Sequence, residues 1–173
     1  MTDEIINRVS KSPLEVFDLE DFYPTEKRVL FDLKDFLFEG LILKEKDFRE
    51  QLENHPWADY DNCFVAIDNS ADAIIPAWAF ILVTSKLQPH AKKIVQGNLK
   101  DLENSIFQEI ISQIDFSIFE GKPVIIKGCS KKSIPESAYV AALQKIQPVA
   151  KSIMYGEACS TVPIFKKKVN KPN

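Results

Sequence analysis

Two cysteines carry most of the chemical interest of this chain. Cys129 stands in KGCS (127–130) and Cys159 in GEACSTVP (156–163). A thiol attacks or binds metal as the thiolate, and a helix N-terminus stabilises that anion. Cys129, with Ser130 beside it, precedes an expected helix, so its thiol can serve as a nucleophile or redox group. Cys159 is preceded by Glu157 and followed by Ser160 and Thr161. Those hydroxyls and their neighbouring amides suit an anion-binding nest. The bland alternatives are a small buried residue in a tight loop for Cys129 and an ordinary turn around Cys159.

Together Cys129 and Cys159 can share a metal or another soft ligand. A closed zinc site takes four ligands, and neither His55 nor His90 has ligand spacing, so the two thiols are an incomplete metal set. Cys63 opens an apolar run and reads as a buried packing residue. Three cysteines is an odd number, which suits reduced thiols in the cytoplasm better than a disulfide framework.

Other chemistries are poorly served. The two histidines form no nucleophile–base pair. Only five glycines occur, and neither GxGxxG nor GxxxxGK[ST] is present, which excludes the usual phosphate loops. Asp18, Glu20 and Asp21, like Asp32 and Asp35, read as the wet face of edge strands. No cofactor is implied by any motif. A net charge of −3 makes no general case for nucleic acid, and Lys166, Lys167, Lys168 and Lys171 read as a solvated tail. MTDEIINRVSKS has no apolar signal core, and no run approaches the roughly 20 residues of a membrane span. The expectation is a soluble cytoplasmic protein with no membrane partner.

The elements that position the thiols come from an internal repeat. Residues 75–98 and 134–157 align without a gap at an offset of 59, with ten of 24 positions identical. Roughly one or two matches would arise by chance. CFVAI (63–67) and VIIK (124–127) precede the two copies as short buried strands. Loops follow, DNSADA holding Ser70 and Asp72 in the first copy and GCSKKS in the second. Pro76 and Pro135 are placed in the first helical turns, and Pro89 and Pro148 stop the helices. Each copy closes with a short strand ending at Gly97 or Gly156, so each is a β-α-β crossover.

Leu99, Leu102, Ile106, Phe107, Ile110, Ile111 and Ile114 trace an amphipathic linking helix. In the first 60 residues, VFDLEDF (16–22) and VLFDLKDF (29–36) suggest added antiparallel or edge strands, GLIL (40–43) a further one, and 44–54 a helix. The expected whole is one α/β domain over 1–173 with a mixed, mostly parallel sheet. Its segments are N-terminal strands and helix at 14–62, copy one at 63–98 and the linking helix at 99–121. Copy two follows at 122–157 and a C-terminal tail at 158–173. The element order is STAS-like or flavodoxin-like. Ligands of such sheets meet the loops at the C-terminal strand ends, which gather Ser70, Asp72, Cys129, Ser130, Glu157, Cys159, Ser160 and Thr161.

Several segments resemble a known family: FDLEDFYP (17–24), LFEGLILKEKDFR (37–49), KGCS (127–130) and PVAKSIMYGEACSTVPIFK (148–166). They look like the small bacterial proteins carrying domain of unknown function 2480, over nearly the whole chain. That resemblance implies no activity. It does imply an accessory role beside iron–sulfur cluster assembly proteins, as partners. The leading expectation is thus a cytosolic, non-enzymatic accessory or binding protein. The alternatives are a thiol-dependent enzyme or redox protein using Cys129, and a structural or assembly subunit. Oligomeric state is not legible.

Overall fold

The computed structural model describes residues 14–128, 131–157 and 160–168. In chain order the elements are β1 (Glu15–Phe17), β2 (Arg28–Asp32), α1 (Glu45–Glu53), β3 (Phe64–Asp68), α2 (Ala77–Leu87) and β4 (Lys93–Gln96). There follow α3 (Leu99–Gln113), β5 (Pro123–Ile126), α4 (Glu136–Ile146), β6 (Ser152–Glu157) and β7 (Ser160–Lys166). Short 3-10 turns occupy Leu19–Phe22, Leu33–Phe36, Trp57–Tyr60 and Phe116–Phe119. Among the described residues no helix is long and apolar enough to cross a membrane.

Local chemistry explains several boundaries. Pro76 and Pro135 stand one residue before α2 and α4, as extended caps rather than inside the first turns. Their carbonyls accept from Ala79 and Ala138 N at 3.0 and 2.9 Å. Both helices end two residues before a proline, which lacks the N–H needed to continue. β1 and β2 stop short of the expected strands because an aspartate follows β1 (Asp18) and ends β2 (Asp32). Asp18 Oδ1 accepts from Glu20 N at 2.9 Å, and Asp32 Oδ1 accepts from Lys34 N at 3.1 Å. Each capture turns the chain into a 3-10 turn. GLIL forms no strand either. Only an isolated bridge joins Phe38 and Ile42, across a turn with positive φ at Glu39 and Gly40.

The α/β class and the mostly parallel pairing are as expected, but the strands form two sheets rather than one. One has the order β1-β5-β6-β7 and the other β2-β3-β4. The strands at 64–68 and 123–126 therefore lie in different sheets. Both N-terminal strands join in parallel: Val16 lies opposite Ile125, and Leu30 opposite Ala66. Only β7 is antiparallel, against β6. It lies within the segment expected to be a tail, 158–173.

The described residues pack as two compact units, one comprising Pro24–Ile106 and the other those up to Tyr23 and from Phe107 onward. Each has its own core. In the first unit, here the one containing β1, the face made by Phe17, Val124, Ile126 and Ile153 is covered by Phe107 and Ile111 of α3 and by Ala138, Ala142 and Ile146 of α4. In the second unit, Phe31, Val65 and Ile67 are covered by Phe48 and Leu52 of α1 and by Ala79, Val83 and Leu87 of α2. Burying each large side chain contributes about 1.5–3 kcal/mol.

Several buried positions of the two cores fall at the offset of 59, although the two repeat strands lie in different sheets rather than in the one expected. At the offset of 59, Phe48 matches Phe107, Leu52 matches Ile111, Val65 matches Val124 and Leu87 matches Ile146, all buried. Phe17 packs on Phe22, Phe116 and Phe119 at ring distances of 5.7, 5.5 and 5.9 Å. Phe31 packs on Phe36, Trp57 and Tyr60 at 5.0, 5.7 and 6.1 Å. Loop bonds match as well: Asn62 N donates to His90 O and Gly121 N to Val149 O, both at 2.9 Å.

Candidate functional site

In the first unit, β1, β5 and β6 run parallel and end on one side of their sheet. β5 and β6 are direct neighbours, with Ile126 opposite Tyr155, so the loops holding the two thiols leave adjacent strand ends. Cys129, Ser130 and Cys159 themselves lie outside the described residues. What can be built is the frame around them.

Lys127 extends the ladder, its N–H donating to Phe17 O at 2.9 Å. Its ammonium donates to Asp18 Oδ2 at 2.5 Å. That bond holds the Lys127 pKa above its ordinary value against a smaller opposing effect of desolvation; the charges of Asp18, Glu20 and Glu157 add to it. Glu20 Oε1 accepts from the backbone N–H groups of Lys131 and Lys132, the latter at 3.0 Å. The loop after β5 is thereby anchored to the turn after β1.

Tyr155 closes the frame, with its hydroxyl directed at Gly128 O at 3.5 Å and its ring edge-on to Tyr139. A Cβ at Gly128 would lie 2.8 Å from the Tyr155 ring, so a larger residue there would have to displace the end of the tyrosine side chain. Gly156 has φ +125°, and a Cβ there would meet Ser160 O at 2.4 Å. Glu157 pairs with Ser160, and Thr161 Oγ1 donates to Met154 Sδ at 3.7 Å. Ser160 is exposed. Glu157 Oε1 is buried and has no hydrogen-bond partner among the described residues. A buried oxygen left this way forfeits its hydration without replacement.

The matched edge of the second unit is closed. Asp32 accepts from Ser70 N at 3.0 Å and from Ser70 Oγ at 2.6 Å, besides Lys34 N. Burial pushes the Asp32 pKa up, but these bonds outweigh it and hold the carboxyl below its ordinary value. Asn69 binds Ala71 O and Ala73 O at 3.0 and 2.9 Å. Asp72 is exposed on the same loop. Ser70 is therefore committed to Asp32, and the structure does not bring Ser70 and Asp72 together with Glu157, Ser160 and Thr161 in one unit.

Sequence reasoning missed Asp18, Lys127 and Tyr155. Asp18 and Asp32 are caps with side chains 15% and 11% exposed, not a wet strand face. The signal was present: both stand third in the paired runs VFDLEDF and LFDLKDF. Cys63 is buried, as expected, its Sγ 3.6 Å from Asp61 O. His90 Nδ1 pairs with Asp61 Oδ1 at 2.6 Å. Among the described residues no three His, Cys, Asp or Glu side chains are grouped to hold a metal ion.

No curated protein and no solved structure matches the chain. One family does, over residues 3–167, and with that coverage the chain belongs to the family described as protein of unknown function DUF2480.

Proposed function

We propose that this chain is a non-enzymatic binding or accessory protein whose working surface is the C-terminal edge of the first unit's parallel sheet. The observation that carries the reading is Glu157 Oε1, a buried carboxylate oxygen with no partner among the described residues. Such an atom gains most from a ligand that brings a hydrogen-bond donor or a cation. The adjacent, parallel ends of β5 and β6 support the same surface. Ser130, Ser160, Thr161 and the thiols of Cys129 and Cys159 are the further contacts proposed there. We infer that the second unit is a copy of the same β-α-β framework, with Ser70 closing its edge instead.

The finer reading is service to iron–sulfur cluster assembly, with a soft metal or cluster as cargo. It is supported by the family resemblance and by two thiols in neighbouring loops. Protein purified without oxygen is to be titrated with ferrous iron against a chromophoric chelator. The expected result is saturable binding that Cys129→Ser, Cys159→Ser and Glu157→Gln each weaken at least about tenfold. Absence of binding removes the iron reading. A thiol pKa at Cys129 well below about 8.5 would instead favour a nucleophile or redox enzyme.

A further inference from the structure

β7 lies at an edge of its sheet. β6 pairs with one side of it, and among the described residues no strand pairs with the other. It is also the longest strand described, seven residues from Ser160 to Lys166. Edge strands are normally kept short, because an open ladder is a template for another chain. Val162 and Ile164 stand 59% and 48% exposed on it. The repeated framework does not call for this strand. At the offset of 59 its residues correspond to 101–107, which lie within α3.

The two ends of β7 carry opposite charge. The strand starts opposite Glu157, at the end of the sheet where the charges of Asp18, Glu20 and Glu157 act on the Lys127 ammonium. Three carboxylates stand there against one cation. The strand finishes opposite Ser152, where Lys151, Lys167 and Lys168 line a hollow of about 410 Å³ against Glu120 alone. Lys166 is exposed beside them. Among the described residues these four lysines have no ion-pair partner. Seven extended residues separate the two ends by roughly 20 Å, beyond the screening length at physiological salt. The charges therefore do not neutralise each other within one molecule.

We propose that β7 pairs with β7 of a second copy of this chain, antiparallel, about a two-fold axis near Pro163. A two-fold contact must be complementary to itself. This edge is so in the antiparallel sense alone: the carboxylate end of each copy meets the lysine end of the other, whereas a parallel pair sets like charges together. Ser160 then faces the partner's Lys166, and Val162 faces the partner's Ile164, which covers the exposed apolar side chains. Pro163 has no N–H to offer, and the axis places it between two arms of pairing rather than inside one. The contact joins two four-stranded sheets into one and uses up the open edge. It does not depend on the ligand proposed for the same unit.

The test is sedimentation of the full chain from about 10 µM to about 1 mM. The expected result is a monomer–dimer equilibrium whose dissociation constant rises at least about tenfold between about 0.05 and about 1 M salt. Val162→Lys with Ile164→Lys sets like charges face to face across the axis and should weaken the dimer at least about tenfold. Lys166→Glu with Lys167→Glu should weaken it as much and reverse the salt dependence, because both ends are then acidic. All four side chains are exposed, and circular dichroism verifies that the variants fold. In the wild type, the amide resonances of Val162 and Ile164 should shift as the concentration rises. A monomer throughout, species larger than a dimer, a dimer that either variant leaves unchanged, or shifts confined to other residues would overturn the proposal.

Discussion

The two sheet edges start from the same device and end differently. Each has a strand, then an aspartate that caps a 3-10 turn, then a loop leaving the neighbouring parallel strand. In the second unit Asp32 takes the loop's own serine, by hydroxyl and amide, and the loop is self-sufficient. In the first unit Asp18 takes Lys127, Glu20 takes two loop amides, and Glu157 keeps a buried oxygen without a partner among the described residues. A loop that satisfies its own polar groups is framework. One that leaves a buried acceptor open is where a ligand gains most.

The comparison is broken most forcefully in the cores. Phe48→Ala and Phe107→Ala, at matched and fully buried slots, should each cost about 3–5 kcal/mol in urea unfolding. Very unequal costs would mean that the two frameworks bear load differently. Ala79→Leu and Ala138→Leu remove the small residues against the sheets. Each should lose about 1–3 kcal/mol by overpacking, and unchanged melting would sink the matched-slot argument.

At the edges, Asp32→Ala should destabilise by about 2 kcal/mol, since a cap and the Ser70 bonds go together. Glu157→Gln should change the melting temperature of the ligand-free protein little, because Oε1 loses no hydrogen bond among the described residues and only the attraction to the Lys127 ammonium is given up. A clear drop would show that Glu157 is structural and would remove the basis of the open site. The smallest effects are in pH. The Asp32 pKa lies below its ordinary value, so its contribution is present above the ordinary carboxylate range and fades as pH falls through the folded value. His55 is pushed down by burial, so it favours unfolding as pH falls from about 6.5 through its folded value. A His55→Ile variant, which copies the matched Ile114, should flatten that arm of the stability profile.

Much of the architecture was legible because it is local. Proline and apolar periodicity place α2 and α4 to within a residue, since helix bonds close within four positions. The offset of 59 paired Ala79 with Ala138 and Val65 with Val124 in sequence, and all four are buried. The same locality hid the site. Asp18 looks like any acidic strand residue until Lys127 is placed beside it, and nothing near Asp18 in sequence announces that.

The sequence by itself determined the α/β class, the two crossovers and the loops in which chemistry was to be sought. Only the tertiary structure decided that β1 pairs with β5 and β2 with β3, and hence that there are two sheets. It also decided that Ser160–Lys166 is a strand. Strand pairing depends on partners far along the chain, and a short apolar run carries no record of which partner it will meet.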